Sequence, residues 1–216
     1  MFSRLMKDKK DEHIIFPKEF QKINQKLPDD FGLPDNTLWL GMRTERTSAM
    51  LFCFPVSEKA SMPFDDNERI IREQHRDMGE NEGLIEVKNG LTKKGRKYVY
   101  NIFKHSMMSE RGIPQGNEYT LNINIKFENS IQFINSSFAE CGITGERDAL
   151  GMIIYSKSNN IDIDKALETW QEDPYDLTYK KGFLMNRSEQ EKYDEIFPWH
   201  PLSEARKFLR FIAENN

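Results

Sequence analysis

Residues Ser137 to Met152, SFAECGITGERDALGM, bring together residue types that can do chemistry: a cysteine, three glycines, a threonine and an Arg-Asp pair. If a strand ends and a helix begins here, the first amides of the helix can hold an anion while Cys141 acts as a nucleophile. In a purely structural corner, Gly142 adopts an unusual dihedral angle, and Thr144 caps the helix by accepting a hydrogen bond from the Arg147 amide. Capped junctions are common, so the structural interpretation is favoured.

The segment YDEIFPWHP, Tyr193 to Pro201, is the second candidate because its local composition is the most unusual in the chain. Its aromatic rings around two prolines can form a lip that binds a peptide or small ligand. They can also form a lid that fills a groove of the same domain, with Pro201 beginning a terminal helix, and this packing role is favoured. The possible binding residues from the two segments are Thr144, Arg147, Asp148, Phe197, Trp199 and His200.

Other catalytic and metal-binding patterns are missing from the sequence. His13, His75, His105 and His200 are scattered singly and no CxxC pair occurs, so no metal site is expected. The GxSxG motif of serine hydrolases is also missing. The acidic clusters are typical of helix starts and solvated loops, and the basic turn Thr92 to Tyr98 is typical of a solvated hairpin loop. We therefore assign no catalytic residue and expect no cofactor, and the balance of motifs is against an enzyme.

Composition limits the classes of partner. A chain of 216 residues with 38% hydrophobic content can bury one substantial core. Because 31 Lys and Arg nearly balance 35 Asp and Glu, no basic surplus favours nucleic acid or an anionic membrane. The apolar runs are too short to span a bilayer. No signal-peptide pattern opens the chain, and Cys53 and Cys141 lie in or beside apolar runs, so a reducing, cytoplasmic location is expected.

The elements that must position these residues follow from periodicity. Thr37 to Arg43 and Ala49 to Val56 predict a hairpin, and a helix is predicted from an N-cap at Asp65 or Asp66 to Gly79. Four more strands and a helix from Thr144 follow. In TLNINIKF, apolar and polar residues alternate, which predicts one dry face and one wet or partly covered face. The four strands are Gly83 to Thr92, Gly95 to Ser106, Glu118 to Asn129 and Ser130 to Glu140.

The last part of the chain predicts three helices, near Asp164 to Gln171, Ser188 to Ile196 and Pro201 to Ala213. The third carries an apolar stripe that must be buried, either on the sheet or on a partner chain. The sheet and its helices are expected to use nearly all of the apolar side chains, which leaves none to line a reaction cavity. The stripe consists of Leu202, Ala205, Phe208, Leu209 and Ile212.

Three segments, GRKYVY from Gly95, YTLNINIKF from Tyr119 and ECGITGERDA from Glu140, together with the order of elements, resemble the PsbP-like fold family. That family includes an extrinsic photosystem subunit and a Ran-binding import factor. The resemblance covers about Phe16 to Lys157 and implies an α+β fold, an antiparallel sheet with helices on both faces, without a shared catalytic site. The chain departs from it by a C-terminal helical extension, similar to tails of bacterial cytoplasmic proteins.

Three regions are therefore expected: a flexible tail at residues 1–15, a PsbP-like domain at 16–160, and a helical extension at 161–216 packed on the same domain. The favoured function is a non-catalytic protein-binding or assembly module that docks a protein partner on its half-wet sheet and C-terminal helices. The alternative is a small-molecule-binding protein or a hydrolytic enzyme that uses Cys141, Thr144 and Arg147. The sequence leaves the oligomeric state open.

Overall fold

An antiparallel sheet of seven strands organises the computed structural model, which describes residues 13–24 and 32–216. The strand order is β1-β2-β3-β7-β6-β5-β4, and all neighbouring strands are antiparallel. The predicted α+β class, with a large antiparallel sheet, is confirmed. The strands are β1 Gln21–Lys22, β2 Leu38–Arg43, β3 Thr47–Val56, β4 Glu82–Leu91, β5 Lys97–Met108, β6 Pro114–Lys126 and β7 Ile131–Glu140.

The described helices are α1 Asn67–Asp77, α2 Glu146–Asn159, α3 Ile163–Glu168 and α4 Pro201–Asn215, and β8 Gln171–Glu172 pairs with β9 Met185–Asn186. The predicted helix at Ser188 to Ile196 is wrong, because two 3-10 helices, Arg187–Glu189 and Glu191–Tyr193, occupy this region. Gln190 between them has extended dihedral angles, so the backbone cannot continue as one helix. Within the described residues, no helix combines the length and apolar character needed to cross a membrane.

Helix α1 begins as predicted from an aspartate cap. The Asp66 side chain accepts a hydrogen bond from the Arg69 amide at 2.9 Å. The helix ends one residue earlier than predicted, with Met78 rather than Gly79 at its C-cap. Its buried Ile70 packs in an apolar cluster with residues of β4 and β5, and this cluster consists of Ile70, Leu84, Val87 and Val99.

The main apolar core lies between the sheet and α4. The predicted alternation of β6 is found in part: Leu121, Ile123 and Ile125 are fully buried and Asn122 is half-exposed, but Asn124 is also buried, where it accepts from the Met62 amide at 3.0 Å. The stripe of α4 contacts β3, β6 and β7 of its own chain, which answers the question that the sequence left open. Val99 and Tyr100, which are neighbours in β5, belong to different apolar clusters: Val99 packs with Ile70 of α1, and Tyr100 belongs to the main core.

The two described ends of the chain meet beside the core. The Ile15 amide donates to Asn216 Oδ1 at 2.7 Å, and Asn216 Nδ2 donates to the Ile15 carbonyl at 3.0 Å. Residues 1–12 of the predicted tail and residues 25–31 of the loop before β2 lie outside the described residues. The domain boundaries stay a prediction.

Candidate functional site

The strand-to-helix corner is tied by a carboxylate rather than by the predicted hydroxyl. Gly145, with a φ of 72°, is the N-cap of α2 and no side chain caps it, while Thr144 is exposed. Glu140 Oε1 accepts from the Gly145 amide at 3.1 Å, and Oε2 accepts from the Asn117 amide at 2.8 Å. The predicted Thr144 cap is therefore wrong, because α2 begins one residue later with Gly145 as its N-cap, and the Glu140 carboxylate binds the Gly145 amide.

Arg147 is the centre of the candidate site. Its side chain is buried, although the sequence shows it beside a glycine-rich turn. The guanidinium donates to the Ser188 carbonyl at 2.8 Å, to Ser203 Oγ at 2.8 Å and to Asp194 Oδ1 at 3.0 Å. It thereby joins the corner to the segment that leads into α4. A guanidinium with this many fixed partners is suited to holding structure together.

The aromatic segment packs against the same arginine. Phe197 is buried with its ring 6.0 Å from the Arg147 guanidinium carbon, and His200 Nδ1 lies 3.4 Å from Arg147 Nη1. Trp199 is 45% exposed, and its carbonyl accepts from Thr47 Oγ1 at 2.8 Å. The cavity that these residues line has a volume of only about 10 Å³, room for about one water molecule. The Phe197 and His200 rings therefore fill the groove, whereas the Trp199 ring is exposed at its edge.

His200 is held between a helix end and a carboxylate. Its Nδ1 accepts from the Leu202 amide at 3.2 Å and so caps α4. Nε2 lies 3.4 Å from Glu140 Oε1, which places the ring proton on Nε2. Burial lowers the pKa of His200, and the Arg147 charge lowers it further, although Glu140 opposes both. The imidazole is neutral and serves as a cap.

Asp148 is the last of the predicted binding residues, and its side chain contacts other residues than Arg147 does. It accepts from Ser188 Oγ at 3.0 Å and from Asn186 Nδ2. Burial and the nearby Glu189 charge raise the pKa of its carboxyl. The structure thus brings Arg147, Phe197, Trp199 and His200 together, turns Asp148 toward Asn186 and Ser188, and leaves Thr144 in solvent.

A buried cluster of charges that sequence reasoning missed continues from this point under α4. Lys104 is fully buried and donates to Glu189 Oε2 at 3.0 Å and to the Leu184 carbonyl at 2.7 Å. Glu189 also accepts from the Tyr119 hydroxyl at 2.7 Å. The interior that we expected to be apolar therefore holds ion pairs between the sheet and residues 184–206.

Arg206 of α4 forms the second half of the cluster. It donates to Glu86 Oε2 at 3.0 Å, to Asp194 Oδ1 at 3.0 Å and to the Glu189 carbonyl at 2.9 Å. A β-bulge at Leu84/Glu86 shifts the register of β4 against β5 and pairs Glu86 with Ile102, on the α4 side. Lys88, Tyr100 and Arg206 counter the effect of burial and keep the pKa of Glu86 below its usual value.

A cavity of about 350 Å³ opens beside this cluster. Its presence corrects the expectation that no cavity lined by ionisable groups remains. Long charged side chains line it, and the count of apolar residues could not exclude that. We call it the β4 cavity, and its lining residues are Ile85, Glu86, Lys88, Glu172, Pro174, Tyr175, Met185, Asn186, Arg187, Gln190, Glu191 and Arg206.

The cysteines do not form a reactive centre with the predicted corner. Cys53 is buried, and burial raises the pKa of its thiol to about 12. Cys141 is half-buried, and its thiol lies 3.6 Å from the Thr44 carbonyl oxygen as a weak donor. The partners that a nucleophilic Cys141 would need are engaged elsewhere, since Arg147 is bound to Ser188, Ser203 and Asp194.

Comparison with known proteins adds no family to this picture. No protein-family model matches the chain, and no curated protein sequence matches it. Across residues 13–24 and 32–216, no three His, Cys, Asp or Glu side chains are grouped so that they could hold a metal ion.

Proposed function

We propose that the chain is a non-catalytic protein-binding module whose docking surface is the sheet face that points away from α4. On β6 and β7 most side chains toward α4 are buried. On the other face Asn122, Phe133, Asn135 and Ser137 are half-exposed, whereas Asn124 and Ile131 are buried. We call this surface the amide face. Its residues are Met50, Phe54, Asn101, Asn122, Phe133, Asn135 and Ser137, of which Asn101 is buried.

A row of hydrogen-bonded asparagines on the amide face carries the proposal. Asn135 Nδ2 donates to Asn122 Oδ1 at 2.7 Å, and Asn122 Nδ2 donates to Asn101 Oδ1 at 2.9 Å. Asn101 Nδ2 lies 3.3 Å from Met62 Sδ. All three amides donate in the same direction, so the row ends at the half-exposed Asn135 Oδ1, polarised as an acceptor by its neighbours.

The residues beside the row suit a polypeptide partner. Phe54 and Phe133 are paired across β3 and β7, with ring centroids 5.4 Å apart in an edge-to-face arrangement. Both rings are half-exposed and can pack against an apolar side chain. The amide face itself is uncharged, as the centres of protein interfaces are. A peptide N–H that donates to Asn135 Oδ1, next to an apolar side chain, matches this surface.

Two further observations support the wider proposal. The packing of α1 and α4 in different apolar clusters supports a sheet with helices on both faces and, with it, the PsbP-like resemblance, which implies no shared catalytic site. Both cysteines are free thiols, which favours a reducing, cytoplasmic location.

Site-specific photo-crosslinking tests the proposal. A photoreactive amino acid at Ser137, on the amide face, is expected to give one dominant protein adduct in cells, and the same group at the exposed Leu150 of α2 should not. With the purified partner, Asn135→Ala should weaken binding about tenfold through loss of the acceptor, and Leu150→Ala should leave it unchanged. Identical adducts from Ser137 and Leu150 would contradict the proposal.

The β4 cavity favours a second candidate function, the binding of a small molecule, and its volume is in the usual range for such sites.

A further inference from the structure

The walls of the β4 cavity are fixed by hydrogen bonds before any ligand arrives. The Tyr175 hydroxyl lies 2.5 Å from the Val87 amide nitrogen and 3.2 Å from the Val87 carbonyl oxygen, at the free edge of β4. The segment that carries Tyr175 is also tied to α1, because His75 Nε2 lies 2.9 Å from the buried Asp173 Oδ2. A preformed cavity loses less conformational entropy on binding than a flexible one.

The deepest charges in the β4 cavity are Glu86 and Arg206. Their side chains are 9% and 5% exposed. Arg206 has five N–H donors, and three of its hydrogen bonds go to Glu86, Asp194 and the Glu189 carbonyl. These three hydrogen bonds leave two of its N–H groups unused.

The remaining charges are balanced around this pair. Lys88, Arg187 and Arg206 are the cations of the lining, and Glu86, Glu172 and Glu191 are its anions. Arg187 is paired with Glu172, and Lys88 with Glu86. A lining with equal numbers of both charges gives little net attraction to a simple anion or cation, but it can pair with both ends of a dipolar molecule.

We infer that the β4 cavity binds a small zwitterion of the class of free α-amino acids. Its carboxylate pairs with the spare N–H groups of Arg206 and with Arg187, and its ammonium pairs with Glu86 or Glu172. Its side chain packs on the apolar part of the lining, Ile85, Pro174 and Met185. This inference rests on the second candidate function, for which it names the ligand class, and it is independent of the amide face.

Isothermal titration of the full chain with each of the common α-amino acids tests the inference. For the best of these, the N-acetyl derivative loses the ammonium and the amide derivative loses the carboxylate, with the side chain kept. We expect saturable one-to-one binding of the amino acid, and affinity for each blocked derivative weaker by at least about tenfold. Failure of every amino acid to bind at millimolar concentration, or equal binding of the blocked derivatives, overturns the inference.

A paired variant locates the site. Glu172→Gln with Arg187→Gln removes both charges of a half-exposed pair, so neither is left without its partner, and should weaken binding about tenfold. The matched control, Arg69→Gln with Glu73→Gln, neutralises an exposed pair on α1 and should change nothing. Wild-type affinity in the first variant overturns the assignment. Asn135→Ala on the amide face should not affect amino-acid binding, so failure of either proposal can be recognised separately.

Discussion

The two faces of the central strands use polar residues in opposite ways. Toward α4, Lys104 and Glu140 are buried and paired with residues from the C-terminal part of the chain. On the other face, Asn122 and Asn135 are neutral and half-exposed. A buried charge must be fully paired, because an unpaired one costs several kcal/mol, whereas a half-exposed amide can keep an unused acceptor at low cost. Removing one partner of a buried pair on the α4 side should therefore cost more stability than removing an amide from the other face.

The largest difference between the two faces is expected when Arg147 is removed from the charged side. Arg147→Met should lower the free energy of unfolding by about 3–5 kcal/mol, because the buried Ser188 carbonyl and Ser203 hydroxyl lose their donor and Asp194 keeps only Arg206 as its cation. Urea unfolding measures the loss. In the control Arg46→Met, the half-exposed pair with Glu146 is removed, and we expect a loss of only about 0–1 kcal/mol. Equal losses would show that burial of the charges is irrelevant.

A second variant tests whether the buried charges act as pairs. Lys104→Met leaves Glu189 without its cation and should cost about 3 kcal/mol. Adding Glu189→Gln removes the stranded charge while it keeps a group that can bond to Tyr119, so part of the stability should return. The expected coupling in the double-mutant cycle is about 1–3 kcal/mol. Strict additivity would mean that the two side chains do not depend on each other.

Much of the sheet and of α4 could be predicted because their periodicity is local. The alternation around Leu121 and the stripe around Phe208 each mark a buried face within one element. The charged cluster left a weaker signal. Lys104 lies on the same face of β5 as Tyr100 and Ile102, so the sequence shows a charged residue in a row of apolar positions. Its partner Glu189 is 85 residues away along the chain. Such a pairing depends on tertiary structure, which periodicity does not contain.

Helix α2 shows why the corner was harder to predict. Ile153 of α2 is exposed, and the buried residues of the helix are Arg147, Gly151 and Ser156. Helix α2 packs on the polar 3-10 helix Arg187–Glu189 rather than on the apolar sheet. The burial of a polar helix face follows from the identity of its neighbour, which the local sequence does not reveal.

A glycine in α2 gives the third test of this packing. A Cβ on Gly151 would lie 2.5 Å from the Ser188 Cβ, so Gly151→Ala should cost about 1–3 kcal/mol despite the better helix propensity of alanine. Urea unfolding measures it against Ser158→Ala, an exposed site in the same helix, which should be neutral or slightly stabilising. Stabilisation by Gly151→Ala would mean that α2 does not pack closely on Ser188.

A smaller effect is expected in the pH dependence of stability, and it comes from His200 on the α4 side of the sheet. Burial holds the pKa of His200 below its unfolded value of about 6.5, so the unfolded chain binds the proton more readily. The contribution of neutral His200 to the free energy of unfolding is complete above about pH 6.5. It is lost as the pH falls from there toward the lower pKa that His200 has in the folded chain. His200→Asn keeps a cap for α4 without titrating, so its stability should change less between about pH 7 and 5. Identical pH profiles would exclude this role.

Glu140 affects the stability of the fold in a different, more acidic pH range. Hydrogen bonds from His200, Asn117 and Gly145 counter the effect of burial and hold the pKa of Glu140 below its usual value of 4.5. Its contribution is therefore present above about pH 4.5 and is lost only as the pH falls further. Loss of stability that begins as the pH falls below about 6.5 can be assigned to His200, and loss that begins below about pH 4.5 to Glu140 and other carboxylates.

The smallest change in stability is expected on the amide face. Asn135→Ala removes the end of the asparagine row, but Asn122 keeps its own hydrogen bond to Asn101, so the loss should be about 1 kcal/mol or less. The yield of the crosslink from Ser137 should nevertheless fall about tenfold, because the partner loses its acceptor. A stability loss comparable to that of Arg147→Met, without a change in crosslinking, would show that the asparagines belong to the folded core. A small loss combined with reduced crosslinking would distinguish a contact surface from the charged side beneath α4.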